Sequence, residues 1–173
     1  MPPKIAVIGT SGSGKTTVAR ELARRLGVPH VELDALYHGP GWSETPPEEF
    51  RRRVAAATEA DGWVVDGNYD SKLGELVLER ADTVVWLDLP LRVALARVTR
   101  RTVRRIRTGE ELWSGNRESW RGGFLGWESM FVWTIRSHLR NRRARAERLA
   151  QHPSLRVVRL RSAREVERYL SEV

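Results

Sequence analysis

A glycine-rich segment between an apolar run and a helix-compatible stretch constrains this chain more than any other feature. Residues Gly9–Thr16 satisfy the pattern G-x-x-x-x-G-K-[ST], and they follow the apolar run Ile5–Ile8. The stretch Thr17–Leu26 that follows is compatible with a helix. A strand, such a loop and a helix in this order are typical of a phosphate-binding P-loop, because glycines let backbone N–H groups turn toward an anion at a helix N-terminus. The sequence therefore predicts a site for a nucleoside triphosphate.

The predicted loop assigns roles to its polar side chains. Lys15 would reach the β- and γ-phosphates, and the Thr16 hydroxyl would ligate Mg²⁺. An ordinary Gly-Ser turn is the alternative, which the flanking strand and helix disfavour. We therefore expect ATP and Mg²⁺ as cofactors. The predicted phosphate-binding residues form one continuous segment: Gly9, Thr10, Ser11, Gly12, Ser13, Gly14, Lys15, Thr16 and Thr17.

Length and composition narrow the class of protein. With 173 residues the chain fits one domain, and we expect residues 1–173 to form a single unit. The sequence has no cysteine, which excludes disulfides, thiolate metal sites and cysteine nucleophiles. No apolar run approaches the length of a membrane span. We therefore expect a cytoplasmic protein without a membrane partner.

Charge is distributed unevenly along the chain. Residues 87–173 carry 20 basic and 9 acidic side chains, a net charge of +11, whereas the whole chain is at +8. A basic half of this kind suits nucleic acid, a membrane surface or a polyanionic small substrate. Nucleic acid thus remains a candidate partner beside a small molecule, and the sequence leaves a monomer and a homodimer both open.

Apolar runs and helical segments alternate throughout the sequence. This alternation predicts a parallel sheet with helices on both faces. The predicted strands are Lys4–Ile8, His30–Leu33, Trp63–Val65, Thr83–Leu87 and Leu155–Leu160. The predicted helices are Lys15–Leu26, Glu48–Ala60, Leu73–Arg80, Leu91–Arg107, Gly126–Gln151 and Ala163–Leu170, with a Gly-bearing mobile segment at 108–123.

Two aspartates follow predicted strands at the edge of the sheet where the P-loop lies. Active sites in parallel sheets form at the carboxyl ends of the strands. Asp66, after Trp63–Val65, fits a carboxylate that holds Mg²⁺, although it could instead cap a turn before Gly67. Asp34, after His30–Leu33, could orient an acceptor hydroxyl or take its proton, although helix capping is the alternative.

Arginines before and within the 108–123 segment are candidates for charge stabilisation. Arg101 and Arg105 stand one helical turn apart, so they could share a face toward the nucleotide; Arg117 and Arg121 have the same spacing. Arginines on a closing lid stabilise the transferred phosphoryl group once water is excluded. Any one of them could also be plain surface charge. The tryptophans around this segment, Trp113, Trp120, Trp127 and Trp133, fit packing better than stacking on a substrate ring.

The order of these features resembles the P-loop kinases that include nucleoside monophosphate kinases, shikimate kinase and gluconate kinase. This resemblance implies a three-layer α/β/α fold, a five-stranded parallel sheet of order 2-3-1-4-5 and an arginine-bearing helical lid. Three segments are similar to the adenylate-kinase-related "DNA topology modulation protein" family. These are Leu33–Tyr37, Val65–Tyr69 and Gly115–Trp120.

The resemblance implies further roles for individual residues. Asp34 is similar to the carboxylate that shikimate-type kinases place beside the acceptor hydroxyl. Arg101 corresponds to an arginine that stacks on adenine, and Arg161 with Ser162 to the loop that borders the base. One departure stands out, because adenylate kinases follow the strand-3 Asp-Gly with an apolar residue, Pro and a phosphate-gripping Arg. Here Asp66-Gly67 continues as Asn68-Tyr69-Asp70.

These observations lead to one preferred function and one alternative. The preferred function is an ATP-dependent phosphotransferase acting on a small-molecule hydroxyl or phosphate. Lys15, Asp34, Arg117 and Arg121 are its expected catalytic residues, with Arg101 and Arg105 at the nucleotide. The alternative, which only the basic half supports, is a nucleotide-regulated nucleic-acid-binding protein or a polynucleotide kinase.

Overall fold

Five parallel strands form one sheet in the order β2-β3-β1-β4-β5. The structure, a computed structural model, describes residues 1–118 and 130–173. Its strands are β1 (Lys4–Gly9), β2 (His30–Glu32), β3 (Trp63–Asp66), β4 (Thr83–Leu87) and β5 (Arg156–Leu160). Strand β1 pairs with β3 on one side and β4 on the other, and every pairing is parallel. All carboxyl ends therefore meet at one edge, where the P-loop begins.

The helices lie between and after the strands. They are α1 (Lys15–Leu26), α2 (Leu33–Tyr37), α3 (Pro47–Ala57), α4 (Asp70–Leu73), α5 (Leu76–Arg80), α6 (Leu91–Thr108), α7 (Met130–Ala150) and α8 (Ala163–Glu172). Single 3₁₀ turns occur at Pro40–Trp42 and Trp113–Gly115. None of the helices in the two described ranges combines the length and apolar character needed to cross a bilayer.

Apolar side chains fill both faces of the sheet. On one face, Val18 and Leu22 of α1 pack with Val7 and Val85 of the strands. On the other face, Phe50 and Val54 of α3 pack with Val31, Trp63 and Val65. A further cluster on this face contains Leu149 of α7 and Trp86. This arrangement confirms the predicted three-layer α/β/α fold and the sheet order 2-3-1-4-5. Trp63 and Trp86 are core residues, as their place in predicted strands indicated.

Several predicted boundaries were wrong near the site. Strand β2 ends at Glu32, and Leu33 with Asp34 opens the short helix α2 instead of completing the strand. The predicted helix Leu73–Arg80 is two short helices, α4 and α5, because Gly74 adopts a positive φ of 59° between them. Helix α3 ends at Ala57, three residues before its predicted end, where Thr58 turns its hydroxyl back onto the Val54 carbonyl.

Candidate active site

The loop from β1 to α1 is packed too closely for side chains at its glycines. Gly12 and Gly14 have positive φ values of 79° and 96°. A Cβ on Gly12 would lie only 2.4 Å from the Ala94 carbonyl oxygen of α6. Arg97 of α6 donates to the Ser13 carbonyl oxygen at 3.0 Å and fixes the loop from the same side. The backbone is therefore held in the curved path that a phosphate cradle requires.

Unpartnered polar atoms support a phosphate in this cradle. Ser13 Oγ is buried and has no hydrogen-bond partner among the described residues. Arg101 Nε on α6 is likewise buried without a partner in the described part of the chain. A buried polar atom left unpaired costs free energy, so such atoms are typical of a place that a ligand completes. The residues present thus fit the phosphates of ATP.

Lys15 lies at the centre of the charged groups of this region. Its Nζ donates to the carbonyl oxygens of Gly9 at 3.0 Å and Thr10 at 3.3 Å. The pKa of Lys15 is lowered to about 8. Burial is the main cause, and the charges of Arg145 and Arg101 act in the same direction, whereas those of Asp34 and Asp66 act to raise it. The fold thus brings two predicted carboxylates and the P-loop lysine within electrostatic reach of one another.

The predicted Mg²⁺ ligands occupy suitable places in the fold. Asp66 closes β3 and is 3% exposed, with His30 Nε2 at 3.2 Å from its Oδ1. Thr16 is half-buried in the first turn of α1, directly after Lys15. Within residues 1–118 and 130–173 no cluster of three His, Cys, Asp or Glu side chains could hold a metal by itself. This fits Mg²⁺, which takes one or two protein ligands and completes its shell with phosphate oxygens and water.

Asp34 stands in the first turn of α2 and is held by a tyrosine. The Tyr69 hydroxyl donates to Asp34 Oδ1 at 2.6 Å, and His38 Nε2 lies 3.4 Å from the same hydroxyl. Burial, followed by the negative charge of Asp34, raises the pKa of Tyr69, so the tyrosine stays a hydrogen-bond donor. Asp34 Oδ1 is thereby fixed in position at the end of the sheet.

The segment after β3 also braces the P-loop, a role that the sequence did not reveal. The Gly9 N–H donates to Asn68 Oδ1 at 3.3 Å, and Asn68 Nδ2 donates back to the Gly9 carbonyl oxygen. Between Asp66 and Asn68, Gly67 packs so closely that a Cβ would lie 2.7 Å from Leu33 Cβ. Asn68 thus links the end of β3 to the start of the phosphate loop, at the position where adenylate kinases have an apolar residue before Pro-Arg.

The two arginines of α6 differ in their surroundings. Arg101 forms no ion pair among the described residues, and burial lowers its pKa. Arg105 is paired, with its Nη1 at 2.8 Å from Glu118 and its Nε at 3.3 Å from Glu110. Arg101 is therefore available to an anion as the structure stands, whereas Arg105 holds the segment that follows α6. Their roles at the nucleotide remain predictions.

The segment 110–118, here called the lid hairpin, folds back onto the loop after α2. Asn116 is 4% exposed; its Oδ1 accepts from the Trp42 N–H and its Nδ2 donates to the Gly39 carbonyl oxygen, both at 2.9 Å. The Ser114 hydroxyl donates to the His38 carbonyl oxygen at 2.9 Å. Trp113 lies near the Glu32 carboxyl and acts to lower its pKa, although burial raises the pKa overall. The lid hairpin therefore covers the Asp34 side of the site.

The remaining predicted residues lie at the edges of the site or outside the described residues. Arg117 is exposed and pairs with Glu111 at 2.6 Å across the lid hairpin. Arg121 lies outside the described residues, as do the side chains of Trp120, Trp127 and Trp133. The Ser162 hydroxyl caps α8 by accepting from the Glu165 N–H at 3.2 Å, and Arg161 is exposed beside it. Ser11 is half-buried and Thr17 exposed at the P-loop.

Arg145 of α7 is a site residue that the sequence did not single out. It is 8% exposed, and burial lowers its pKa although Asp70 and Asp88 act to raise it. Its charge in turn acts on Lys15. Because α7 is rich in arginine, only the packing distinguishes this side chain from its solvated neighbours.

Asp88, after β4, accepts hydrogen bonds from Arg142 and Arg159 and so connects α7 to β5.

The sequence of residues 5–121 matches the AAA domain family. The chain belongs to this family. It is 32% identical over 124 residues to the shikimate kinase of Mycobacterium avium, covering 64% of this chain and 70% of that protein. It is 36% identical over 98 residues to the shikimate kinase of Symbiobacterium thermophilum, covering 49% of this chain and 56% of the relative.

Comparison with solved structures agrees on the fold. A shikimate kinase from Bacteroides thetaiotaomicron superposes with a TM-score of 0.53, covering 97% of this chain and 94% of that one at 15% identity. The sequence relatives are P-loop kinases, which confirms the predicted class, an ATP-dependent kinase, and its predicted cofactors, ATP and Mg²⁺.

Proposed function

We propose that this AAA-domain-family kinase transfers the γ-phosphoryl group of ATP to a hydroxyl or phosphate of a small acceptor held beside Asp34. One observation carries the proposal: the carboxylate of Asp34, fixed by Tyr69, lies within electrostatic reach of the P-loop lysine, Lys15. Phosphoryl transfer needs an acceptor-orienting carboxylate next to the charge that neutralises the γ-phosphate. Both groups are present at one edge of the sheet.

The chain's own residues divide the work between binding and charge neutralisation. The backbone of the P-loop would cradle the phosphates, and Lys15 with Arg101 and Arg145 would offset their negative charge. Thr16 and Asp66 would hold Mg²⁺, which would supply positive charge to offset the negative charge of the phosphates. Arg105 is proposed to lie at the nucleotide beside Arg101, and Arg117 and Arg121 to act from the lid; Arg117 would first exchange Glu111 for phosphate oxygens.

The proposed reaction balances without any further reactant. The acceptor oxygen forms a bond to the γ-phosphorus while the bond to the β–γ bridging oxygen breaks, and ADP leaves with that oxygen. The acceptor proton passes toward Asp34 Oδ2, because Oδ1 already accepts from Tyr69. The lid hairpin excludes water, so the phosphoryl group reaches the acceptor rather than being hydrolysed.

We also propose a domain organisation, a family relation and an alternative partner for this protein. Residues 1–173 act as one kinase domain with a lid at 108–123, and Arg161 with Ser162 borders the adenine. The proposed relation is to the "DNA topology modulation protein" family, and it rests on the segments Leu33–Tyr37, Val65–Tyr69 and Gly115–Trp120. Nucleic-acid binding remains the alternative partner, although Arg105, Arg142, Arg148 and Arg159 of the basic half are paired with carboxylates.

ADP formation with panels of nucleosides, nucleoside monophosphates, polyols and oligonucleotides tests this function. We expect Lys15→Ala to lose both ATP binding and turnover. Asp34→Ala should retain ATP binding and lose about a hundredfold or more of the acceptor-dependent rate. Asp61→Ala, an exposed aspartate before β3, is the matched control and should behave as wild type. Turnover that needs no acceptor and is unchanged in Asp34→Ala would contradict the transferase function.

A further inference from the structure

Carboxylates are concentrated at the end of the sheet where the acceptor would bind. Glu32 and Asp66 are register neighbours on β2 and β3, and Asp34 follows two residues after Glu32. Glu32 is half-buried, and burial together with the charge of Asp66 raises its pKa. The acceptor side of the site therefore has a negative potential, in contrast to the arginine-rich phosphate side.

Lys72, the basic residue of the acceptor-side helix α4, already has partners. Lys72 of α4 pairs with Glu44 at 3.2 Å and lies 4.6 Å from the centre of the Tyr37 ring. Lys72 is the first basic residue after the Asp66-Gly67 segment, where adenylate kinases present an arginine to the acceptor phosphate. Its contacts hold it against α2 instead of leaving it for a ligand.

The arginines of α3 are engaged in the same way. Arg51 donates to the Leu73 carbonyl oxygen at 2.7 Å. Arg52 and Arg53 both pair with Glu49, Arg53 at 2.9 Å. Across α2, α3, α4 and the turn Pro40–Trp42, all described elements, no cation is left to receive an anionic group. Among these elements, an acceptor phosphate or carboxylate would meet Asp34 and Glu32 and no unpaired cation; Lys15 and Arg101, whose charges act on Asp34, belong to the phosphate side of the site.

The remaining wall of the acceptor side is aromatic. Trp113 of the lid hairpin is nearly parallel to the His38 ring, with centroids 5.9 Å apart and planes at 23°. Trp42 meets His38 edge-on at 5.4 Å. Trp113 also lies close enough to Glu32 to lower the pKa of that carboxyl, against the larger effect of burial. Flat apolar faces next to hydrogen-bond acceptors suit a ring that carries hydroxyl groups.

We propose that the acceptor is an uncharged alcohol, with neither phosphate nor carboxylate on the part that enters between Asp34, Glu32 and Trp113. This inference rests on the proposed function, since it names the substrate class of the same site. One hydroxyl of the acceptor bonds to Asp34 and receives the phosphoryl group. Glu32 accepts from a second hydroxyl and repels anions.

Matched acceptor pairs test the charge preference directly. Phosphoryl transfer from ATP is measured for a nucleoside against its 5′-monophosphate, and for a neutral sugar or polyol against the corresponding sugar acid. A like charge placed about 5 Å from a partly buried carboxylate has a strong effect, so we expect kcat/KM to be at least tenfold higher for the neutral member of a pair. Equal or faster transfer to the anionic member would overturn the inference and leave the kinase function standing.

A variant that removes the charge of Glu32 provides a second test of the inference. Glu32→Gln should narrow the neutral-to-anionic ratio by about threefold or more, because it removes one repelling charge and keeps a hydrogen-bonding side chain. Glu59→Gln, at an exposed site after α3, is the matched control and should leave the ratio unchanged. An unchanged ratio in Glu32→Gln, with circular dichroism and ATP-analogue affinity as in wild type, would also overturn the inference. ADP formation that is independent of every acceptor would instead disprove the proposed function.

Discussion

The Tyr69 hydroxyl donates to Asp34 Oδ1 at 2.6 Å, and this bond joins the segment after β3 to the acceptor carboxylate on α2. A hydrogen bond to a charged group contributes about 1.5–3 kcal/mol. In the proposed reaction, this bond leaves Asp34 Oδ2 as the oxygen for the acceptor. The proposed proton transfer would therefore depend on Tyr69, a residue that does not itself receive the proton.

Tyr69→Phe should lower kcat about tenfold while leaving the affinity for an ATP analogue unchanged, because the carboxylate loses its orientation and the phosphate loop stays intact. Steady-state kinetics and analogue titration measure the two effects separately. Tyr169→Phe, on the far helix α8, is the control and should keep wild-type kcat. An equal loss of ATP-analogue affinity in Tyr69→Phe would mean that the tyrosine supports the nucleotide site instead.

ATP binding should take up protons above neutral pH. Lys15 has a pKa of about 8 in the ligand-free protein instead of 10.5, so a phosphate that requires the charged lysine draws a proton onto it. We expect uptake of about half a proton per bound ATP analogue at pH 8, approaching one at pH 9. Calorimetry in two buffers with different ionisation enthalpies measures this uptake.

Raising the pH has the opposite effect on the stability of the ligand-free protein. Because the folded pKa lies below the unfolded value, raising the pH from about 8 to 10.5 removes the cost of burying the charged lysine and favours the folded state. ATP binding, in contrast, weakens over this range. Lys15→Arg should abolish the proton uptake, since arginine stays charged. Uptake that persists in Lys15→Arg would show that another group titrates.

Asn116→Ala should detach the lid hairpin from the acceptor loop. The side chain bonds to the Trp42 N–H and to the Gly39 and Trp113 carbonyl oxygens, and these backbone groups lose their partner. We expect the free energy of unfolding to fall by about 2 kcal/mol and the acceptor KM to rise. Urea denaturation and kinetics provide the measurements. Ser114→Ala, which removes one exposed hydrogen bond, should cost less than about 0.5 kcal/mol; equal effects of the two variants would contradict the central role of Asn116.

Gly12→Ala and Gly27→Ala separate steric overlap from backbone strain. Both glycines have positive φ, but a Cβ at Gly12 meets the Ala94 carbonyl oxygen at 2.4 Å, whereas a Cβ at Gly27 has nothing within 4 Å. Gly27→Ala should cost about 1 kcal/mol of stability and preserve ATP-analogue binding. Gly12→Ala should weaken binding at least tenfold by displacing the P-loop. Similar nucleotide affinities in the two variants would contradict the packing of this loop.

Local sequence patterns were sufficient to predict the framework of the site. The P-loop and Asp66 follow apolar runs, and parallel strands bring such positions to one edge, so Lys15 and Asp66 could be placed from periodicity alone. The structure places the charge of Asp66 close enough to act on the pKa of Lys15, and the roles of both residues stay predictions. The start of α2 could not be predicted, because five residues are too few for a helical repeat.

Contacts between distant segments could not be predicted from the same patterns. The bond of Asn68 to Gly9 spans 59 positions, and that of Asn116 to Trp42 spans 74. Neither asparagine belongs to a motif with a known partner. Arg105 and Arg145 illustrate the limit for charges: both lie in arginine-rich helices, and only tertiary packing pairs the first with Glu118 and buries the second.

The four residues from Asp66 to Tyr69 connect the proposed nucleotide site to the proposed acceptor site. Asp66 lies at the proposed metal site, and Gly67 packs closely against Leu33. Asn68 hydrogen-bonds to the phosphate loop, and Tyr69 hydrogen-bonds to Asp34, the proposed acceptor carboxylate. Substitutions here would alter the nucleotide and acceptor sites together. An engineer who wants a new acceptor would do better to vary the lid hairpin and the 38–42 loop, where changes leave the ATP machinery intact.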